Sequence, residues 1–343
     1  MSVGSASPDL PGRPGEWLVA SDLDQTLIFS RRRCALNPDV AVTPVEDLDG
    51  QPISFSTPRS LRLLAALTET ATFVPVTTRT RAQFARVRLG LAAPLAITTN
   101  GGALLVDGQP DEEWTAGVHE RIAACARPVA AVAALARQLA EQDWVRVTKV
   151  ADGLFVYLVA HDREGIPDLA GLAASLAGDG WRLSVQGRKV YLVPAVLTKE
   201  AAVAEAMRRA GSSRLAAAGD SLLDAGLLAQ ADVAVRPAHG ELHEQGWTRP
   251  GLLITDSAGP AAGEQIAELL TVTVGAPVPP EPATAGPATV GPATVGPATV
   301  GPATVGPATA GPATVGPGRA TITATAALDQ ASRPAPAEST ASG

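Results

Sequence analysis

The sequence predicts an α/β protein: a doubly wound parallel sheet, an α+β segment inserted into it, and a disordered C-terminal tail. Three observations predict it. Short, nearly continuous apolar runs alternate with helical patterns, as in parallel strands covered on both faces. That rhythm breaks between residues 109 and 185, where two candidate strands meet at a tight turn. From Gly286 to Val315 the pentad Gly-Pro-Ala-Thr-Val/Ala repeats six times.

The elements follow in order. Trp17–Ser21 is the first apolar run, and the acidic segment Asp22-Leu23-Asp24 leaves its end. Asp47-Leu48-Asp49-Gly50 looks similar, but it follows no apolar strand and reads as a hairpin turn in a flap. Thr57 and Pro58 suit the N-cap and first position of a helix over Pro58–Leu67. Phe73–Thr77 and Leu95–Thr98 are further strands, with a helix over Thr80–Leu89 between them. Lys199–Ala210 is helical. Leu215–Ala218, Val233–Val235 and Leu252–Thr255 complete the expected parallel sheet. Ligands of such sheets lie beyond the carboxyl ends of the strands.

The inserted segment reads as a helix (Val129–Gln142), strands Trp144–Val150 and Leu154–Ala160 turning at Asp152-Gly153, and a helix (Pro167–Leu176). The strand Trp181–Val185 follows, then a turn at Gly187 and a strand over Lys189–Val193. Strands joined by so tight a turn are antiparallel. The expected division is a discontinuous core, 16–108 and 186–272, an α+β cap, 109–185, and a tail, 273–343. In the repeats, proline at every fifth residue removes amide donors and blocks helix and central strand. The side chains are too small to offset the entropy of ordering.

Composition narrows the function. The chain has 343 residues, 46% hydrophobic and only 3% aromatic, so its core rests on Ala, Val and Leu. A net charge of -7 argues against nucleic acid or an anionic membrane as partner. Cys34 and Cys125 offer neither a disulfide framework nor a metal cluster. A polar N-terminal stretch and the lack of an eighteen-residue apolar run predict a cytoplasmic protein without a membrane span. The oligomeric state is not legible.

Four features carry chemistry. Asp22 and Asp24, followed by Thr26, place two carboxylates at a strand exit, where one can act as nucleophile and the other as proton donor. Thr77, at the end of another strand, offers a hydroxyl. Lys199 opens a helix in a chain whose only other lysines are Lys149 and Lys189. Gly219-Asp220-Ser221-Leu222-Leu223-Asp224 ends a strand with two carboxylates four residues apart, suited to Mg²⁺. The four histidines show no ligand spacing that stands out; His239 and His243 read as a surface helix start ahead of a metal or substrate role, and Arg188 and Lys189 as a solvated face, although either could meet a substrate anion.

In this order the motifs resemble those of the haloacid-dehalogenase-like (HAD) hydrolases, over residues 16–270. The insertion between Thr77 and Lys199 resembles the C2-capped (IIB) branch, which includes Cof-type and sucrose-phosphate phosphatases. Thr77-Thr78-Arg79 stands where that branch often has Thr-Gly-Arg, and Asn100-Gly101-Gly102 where it often has Asn-Gly-Ala. Three residues depart from the pattern: Gln25 for a frequent Gly, Leu223 for a frequent Asn, and Pro237 for another.

The resemblance implies an Mg²⁺-dependent phosphatase of a small phosphorylated metabolite, a sugar phosphate above all. Asp22, Asp24, Thr77 and Lys199 would be catalytic. Thr78, Arg79 and Asn100 would bind substrate, and Asp22, Asp24, Asp220 and Asp224 would hold the metal. A phosphosugar mutase of the same fold, or a binding protein with a degenerate site, is the alternative.

Overall fold

A computed structural model describes residues 16–280, all within one unit, Met1–Ala283. The expected tail lies outside the described residues from residue 281 on. Its expected start at 273 is too early, because helix α10 runs to Thr273 and Val274 and Ala276 are buried in the apolar core beyond it.

β1 (Trp17–Ser21) is fully buried. The two-residue strand β2 (Phe29–Ser30) and the short helix α1 (Arg31–Cys34) follow. The flap is the hairpin β3 (Thr43–Leu48) and β4 (Gln51–Ser56), turning at Asp49 and Gly50 with φ 52° and 74°. The second acidic pair is therefore a turn, as its residue types predict. Thr57 caps α2 (Pro58–Leu67), its side chain accepting from the Ser60 amide. β5 (Thr72–Pro75) comes next. The expected helix Thr80–Leu89 shrinks to α3 (Arg81–Phe84), because Val87 and Arg88 pair instead with Glu46 and Val45 of the flap.

β6 (Leu95–Thr98) departs from the expected parallel sheet. It pairs antiparallel with β7 (Ala103–Val106), and β8 (Gln109–Pro110) extends that hairpin. A four-residue link is too short for a parallel crossover. One parallel bridge, Val76 to Ile97, still ties β6 alongside β5.

α4 (Glu112–Cys125) escaped the sequence reading, although Asp111 caps it and Glu112 and Glu113 fill its first turn. α5 (Val129–Leu139) packs against the hairpin β9 (Val145–Ala151) and β10 (Phe155–Ala160). α6 (Ala170–Gly178) leads to β11 (Trp181–Gln186) and β12 (Lys189–Pro194). These four strands form an antiparallel sheet in the order β11-β12-β10-β9. The expected boundary at 185/186 thus falls inside the β11–β12 pair.

Thr198 caps α7 (Lys199–Ala210), which ends at Gly211. β13 (Arg214–Ala218), α8 (Ala225–Gln230), β14 (Val233–Arg236), the single turn α9 (Glu241–Glu244) and β15 (Leu252–Ile254) follow, and α10 (Pro260–Thr273) closes the described chain. The parallel sheet runs β15-β14-β13-β1-β5. β15 is an edge strand rather than a doubly covered one, with Leu253 and Ile254 exposed. Among the described residues no single helix is long and apolar enough to cross a membrane.

Candidate active site

β1 and β13 are neighbours in register, Ser21 opposite Ala218, so both chains leave the sheet at the same end. The Asp22 amide donates to the Ala218 carbonyl at 2.9 Å, which fixes the first carboxylate at the exit. Gly219 follows on the other strand. Any side chain there would run into Asp224, so glycine lets the Asp220–Asp224 turn fold back on the strand end. The helix α8 starts only at Ala225, after this turn; within it Asp224 accepts from the Ser221 amide at 3.0 Å and hydroxyl at 2.7 Å.

Lys199 reaches this cluster from the N-terminus of α7. Its Nζ lies 2.6 Å from Asp22 Oδ1 and 2.6 Å from Asp224 Oδ1, and the lysine is fully buried. Its approach is set by the turn Thr99–Gly101, whose three residues have φ of 53°, 57° and 94°. Thr99 and Asn100 donate backbone N–H groups to the Arg79 and Thr77 carbonyls at 2.7 and 2.9 Å. Asn100 Nδ2 donates to the Leu197 carbonyl at 2.8 Å, and a side chain at Gly101 would collide with the Thr198 carbonyl. Asn100, expected as a substrate ligand, thus holds the segment that delivers Lys199. Its Oδ1 is buried without a hydrogen-bond partner among the described residues.

Asp22, Asp220 and Asp224 offer carboxylate oxygens within 4.8 Å of one another. Burial and the neighbouring carboxylates push the Asp220 carboxyl well above its usual range. Burial also raises Asp22, to about 7, although Lys199 opposes it. Three buried carboxylates face one ammonium, so the cluster is short of positive charge. An all-oxygen donor set of this kind suits a hard divalent cation such as Mg²⁺.

Asp24 points away from that cluster. Arg79 grips it with Nε at 2.7 Å and Nη2 at 2.8 Å, and holds Glu46 of the flap at 2.7 Å through Nη1. Desolvation would raise the Asp24 carboxyl; the charge and hydrogen bonds of Arg79 outweigh it and keep it well below the usual carboxylate range. Thr77 is buried two residues past the end of β5, which stops at Pro75 and not at Thr77 as expected, and its hydroxyl accepts the Arg79 amide at 3.1 Å. Thr78 turns to the four-stranded sheet, donating to the Tyr191 hydroxyl at 3.4 Å.

The sequence did not reveal several members of this site. Glu46 is buried between Arg79 and Arg86, in the stretch read as a plain flap. Glu241 accepts from the Leu222 amide (3.0 Å), the Ser184 hydroxyl (2.6 Å) and the Val185 amide (2.8 Å), joining the Asp220 loop to β11. A Gly-Glu start after β14 was the only signal. His239, expected on the surface, is buried; its Nε2 lies 2.8 Å from the Gln25 carbonyl, and desolvation lowers it to about 4. Lys189, expected on a solvated face, is partly buried beside Tyr157 and Tyr191.

With this geometry in view, the comparison with solved structures decides the architecture. The sucrose-phosphatase from Synechocystis sp. PCC6803, solved with sucrose and phosphate, superposes with a TM-score of 0.53 at 14% identity, over 75% of this chain and 98% of that one. The chain has the fold of that sucrose-phosphatase. A HAD subclass IIB sugar phosphatase (14% identity, 75% and 99% covered, TM-score 0.49) and a trehalose-6-phosphate phosphatase related protein (16%, 75% and 97%, 0.47) also match. No family profile and no curated protein matches the chain. The resemblance drawn from the motifs therefore holds at the level of the fold.

Proposed function

We propose that the chain is a phosphomonoester hydrolase of small phosphorylated metabolites, sugar phosphates above all, in which the antiparallel sheet acts as a cap over the Asp22 site. The observation that carries this reading is the buried Asp22–Lys199–Asp224 chain of ion pairs, with Asp220 beside it, at the carboxyl end of a parallel sheet. The sucrose-phosphatase of the same fold supports it.

In this reading an Asp22 oxygen attacks phosphorus, the bond to the ester oxygen breaks, and an aspartyl-phosphate forms. Asp24 gives its proton to the departing alcohol, then takes one from the water that hydrolyses the intermediate. The acid role needs a protonated Asp24, whereas Arg79 holds it ionised in the described state. The pair must therefore part when substrate enters. The Lys199 ammonium and the Thr77 hydroxyl stand by the oxygens of the transferred group, where positioning and electrostatics supply most of the acceleration. Asp22, Asp220 and the Asp24 main-chain carbonyl would hold Mg²⁺, with Asp224 behind them, and the ion when bound supplies positive charge to the phosphoryl oxygens.

Phosphate release from a panel of sugar phosphates, phosphoglycerates and nucleotides, with Mg²⁺, tests the reading. Asp22→Asn is expected to abolish turnover. Asp24→Asn is expected to lose least on nitrophenyl phosphate, whose leaving group needs no proton. A wild type that released no phosphate from any ester would sink the proposal.

A further inference from the structure

The antiparallel sheet brings two tyrosines and a lysine to the segment that carries Thr78, Arg79 and Gln83. Tyr157 and Tyr191 are register partners on β10 and β12, with ring centroids 5.6 Å apart. Thr78 and Gln83 donate to their hydroxyls, each at 3.4 Å, which seats the pair over the loop that carries Arg79. Lys189 lies two residues before Tyr191, on the same face of β12. Its Nζ stands 6.0 Å from the Tyr157 ring centre and 5.9 Å from that of Tyr191.

The surrounding cations are matched. Arg79 lies on Asp24 and Glu46, Arg86 on Glu46, and Lys199 on Asp22 and Asp224. Lys189 has no carboxylate within ion-pair distance among the described residues. Tyr191, and then Asp24, keep its ammonium charged against the burial that opposes it. A partly buried charge without a counter-ion is unfavourable unless a ligand supplies one. Lys189 shares the field of Asp24, the proton donor in the proposed reaction. A compact ammonium with three donors suits an anion that arrives with the substrate.

We propose that Lys189, with Tyr157 and Tyr191, forms a subsite for an anionic group on the leaving alcohol, a carboxylate or a second phosphate. The preferred substrates are then phosphomonoesters that carry a further negative charge. This inference rests on the phosphatase reading of Asp22 and Asp24.

Two matched pairs test it with the full-length chain and Mg²⁺. 3-Phosphoglycerate against glycerol 3-phosphate reads the carboxylate. Fructose 1,6-bisphosphate against fructose 6-phosphate reads the second phosphate, and nitrophenyl phosphate is the reference ester. In one arm the charged member is expected to lead in kcat/KM by about tenfold or more, mainly through KM, as for a hydrogen bond between charged groups. Lys189→Met is expected to bring that ratio close to one and Lys189→Arg to restore part of it. A wild-type ratio near one in both arms, or an equal loss on both members in Lys189→Met, would overturn the subsite. A second measurement uses inhibition: glycerate should inhibit nitrophenyl phosphate hydrolysis where glycerol does not, and should do so less in Lys189→Met; inhibition by glycerate that Lys189→Met leaves unchanged counts against the subsite. Nitrophenyl phosphate hydrolysed without any such discrimination defeats this inference alone; no hydrolysis of any ester defeats the phosphatase reading.

Discussion

Gln25 has φ 66°, in the left-handed region that a glycine enters freely and a side chain does not. That accounts for the glycine common at this place in the resembling family. The glutamine here uses its side chain instead: Nε2 donates to Asp220 Oδ2 at 3.2 Å, and Oε1 accepts from Arg33 Nη2 at 2.6 Å. The amide thus ties the loop after Asp22 to the acidic turn. Gln25→Ala keeps the strained backbone and loses the side-chain bonds to Asp220 and Arg33, and is expected to destabilise by about 1–3 kcal/mol in denaturant titration. Gln25→Gly relieves the strain as it removes the bonds, and is expected to lie closer to wild type. If the two variants unfolded alike, the backbone account of this position would be wrong.

At the scale of elements, Leu223 shows what its side chain does where the resembling family often has Asn. It does not face the carboxylates. It packs, fully buried, in the apolar cluster that holds Phe155, Tyr191 and Leu197, so the acidic turn itself supports the antiparallel sheet. Leu223→Asn would put an amide into that cluster and is expected to cost about 1–3 kcal/mol, read as a lower Tm and a lower denaturant midpoint. Nothing near Leu223 in the sequence announces this contact, because its partners are more than twenty-five residues away. The parallel strands were legible for the opposite reason: each is a local apolar run, and β1 matches its expected bounds. That Asp22, Asp220, Asp224 and Lys199 gather in one place was legible because each sits near a strand exit or helix start. Glu46 and Glu241 were not, since a buried glutamate becomes recognisable only through the partners that the fold brings to it. Leu95–Thr98 was placed in the wrong sheet because apolar continuity cannot tell parallel from antiparallel pairing. The left-handed turn after it decides that.

Over the whole molecule the acidic balance has a local counterpart. The chain carries -7, and its carboxylates Asp22, Asp220 and Asp224 are gathered around one lysine. A divalent cation that binds this cluster stabilises the folded state by mass action, by about 2.7 kcal/mol at a hundredfold excess over Kd. Mg²⁺ is expected to raise the Tm of wild type and to leave Asp220→Asn nearly unmoved; equal shifts in both would argue for binding elsewhere. Glu241 links the two sheets, since its one carboxylate accepts from the Val185 amide on β11 and the Leu222 amide in the acidic turn. These two protons therefore have a common fate in deuterated solvent. When the antiparallel sheet lifts from the core, Val185 loses its acceptor, and the carboxylate regains the water that competes with Leu222. Their exchange rates should rise and fall together across temperature and across variants of Ser184, while amides in the middle of β1 stay protected. This pair reports the opening of the molecule without any substrate.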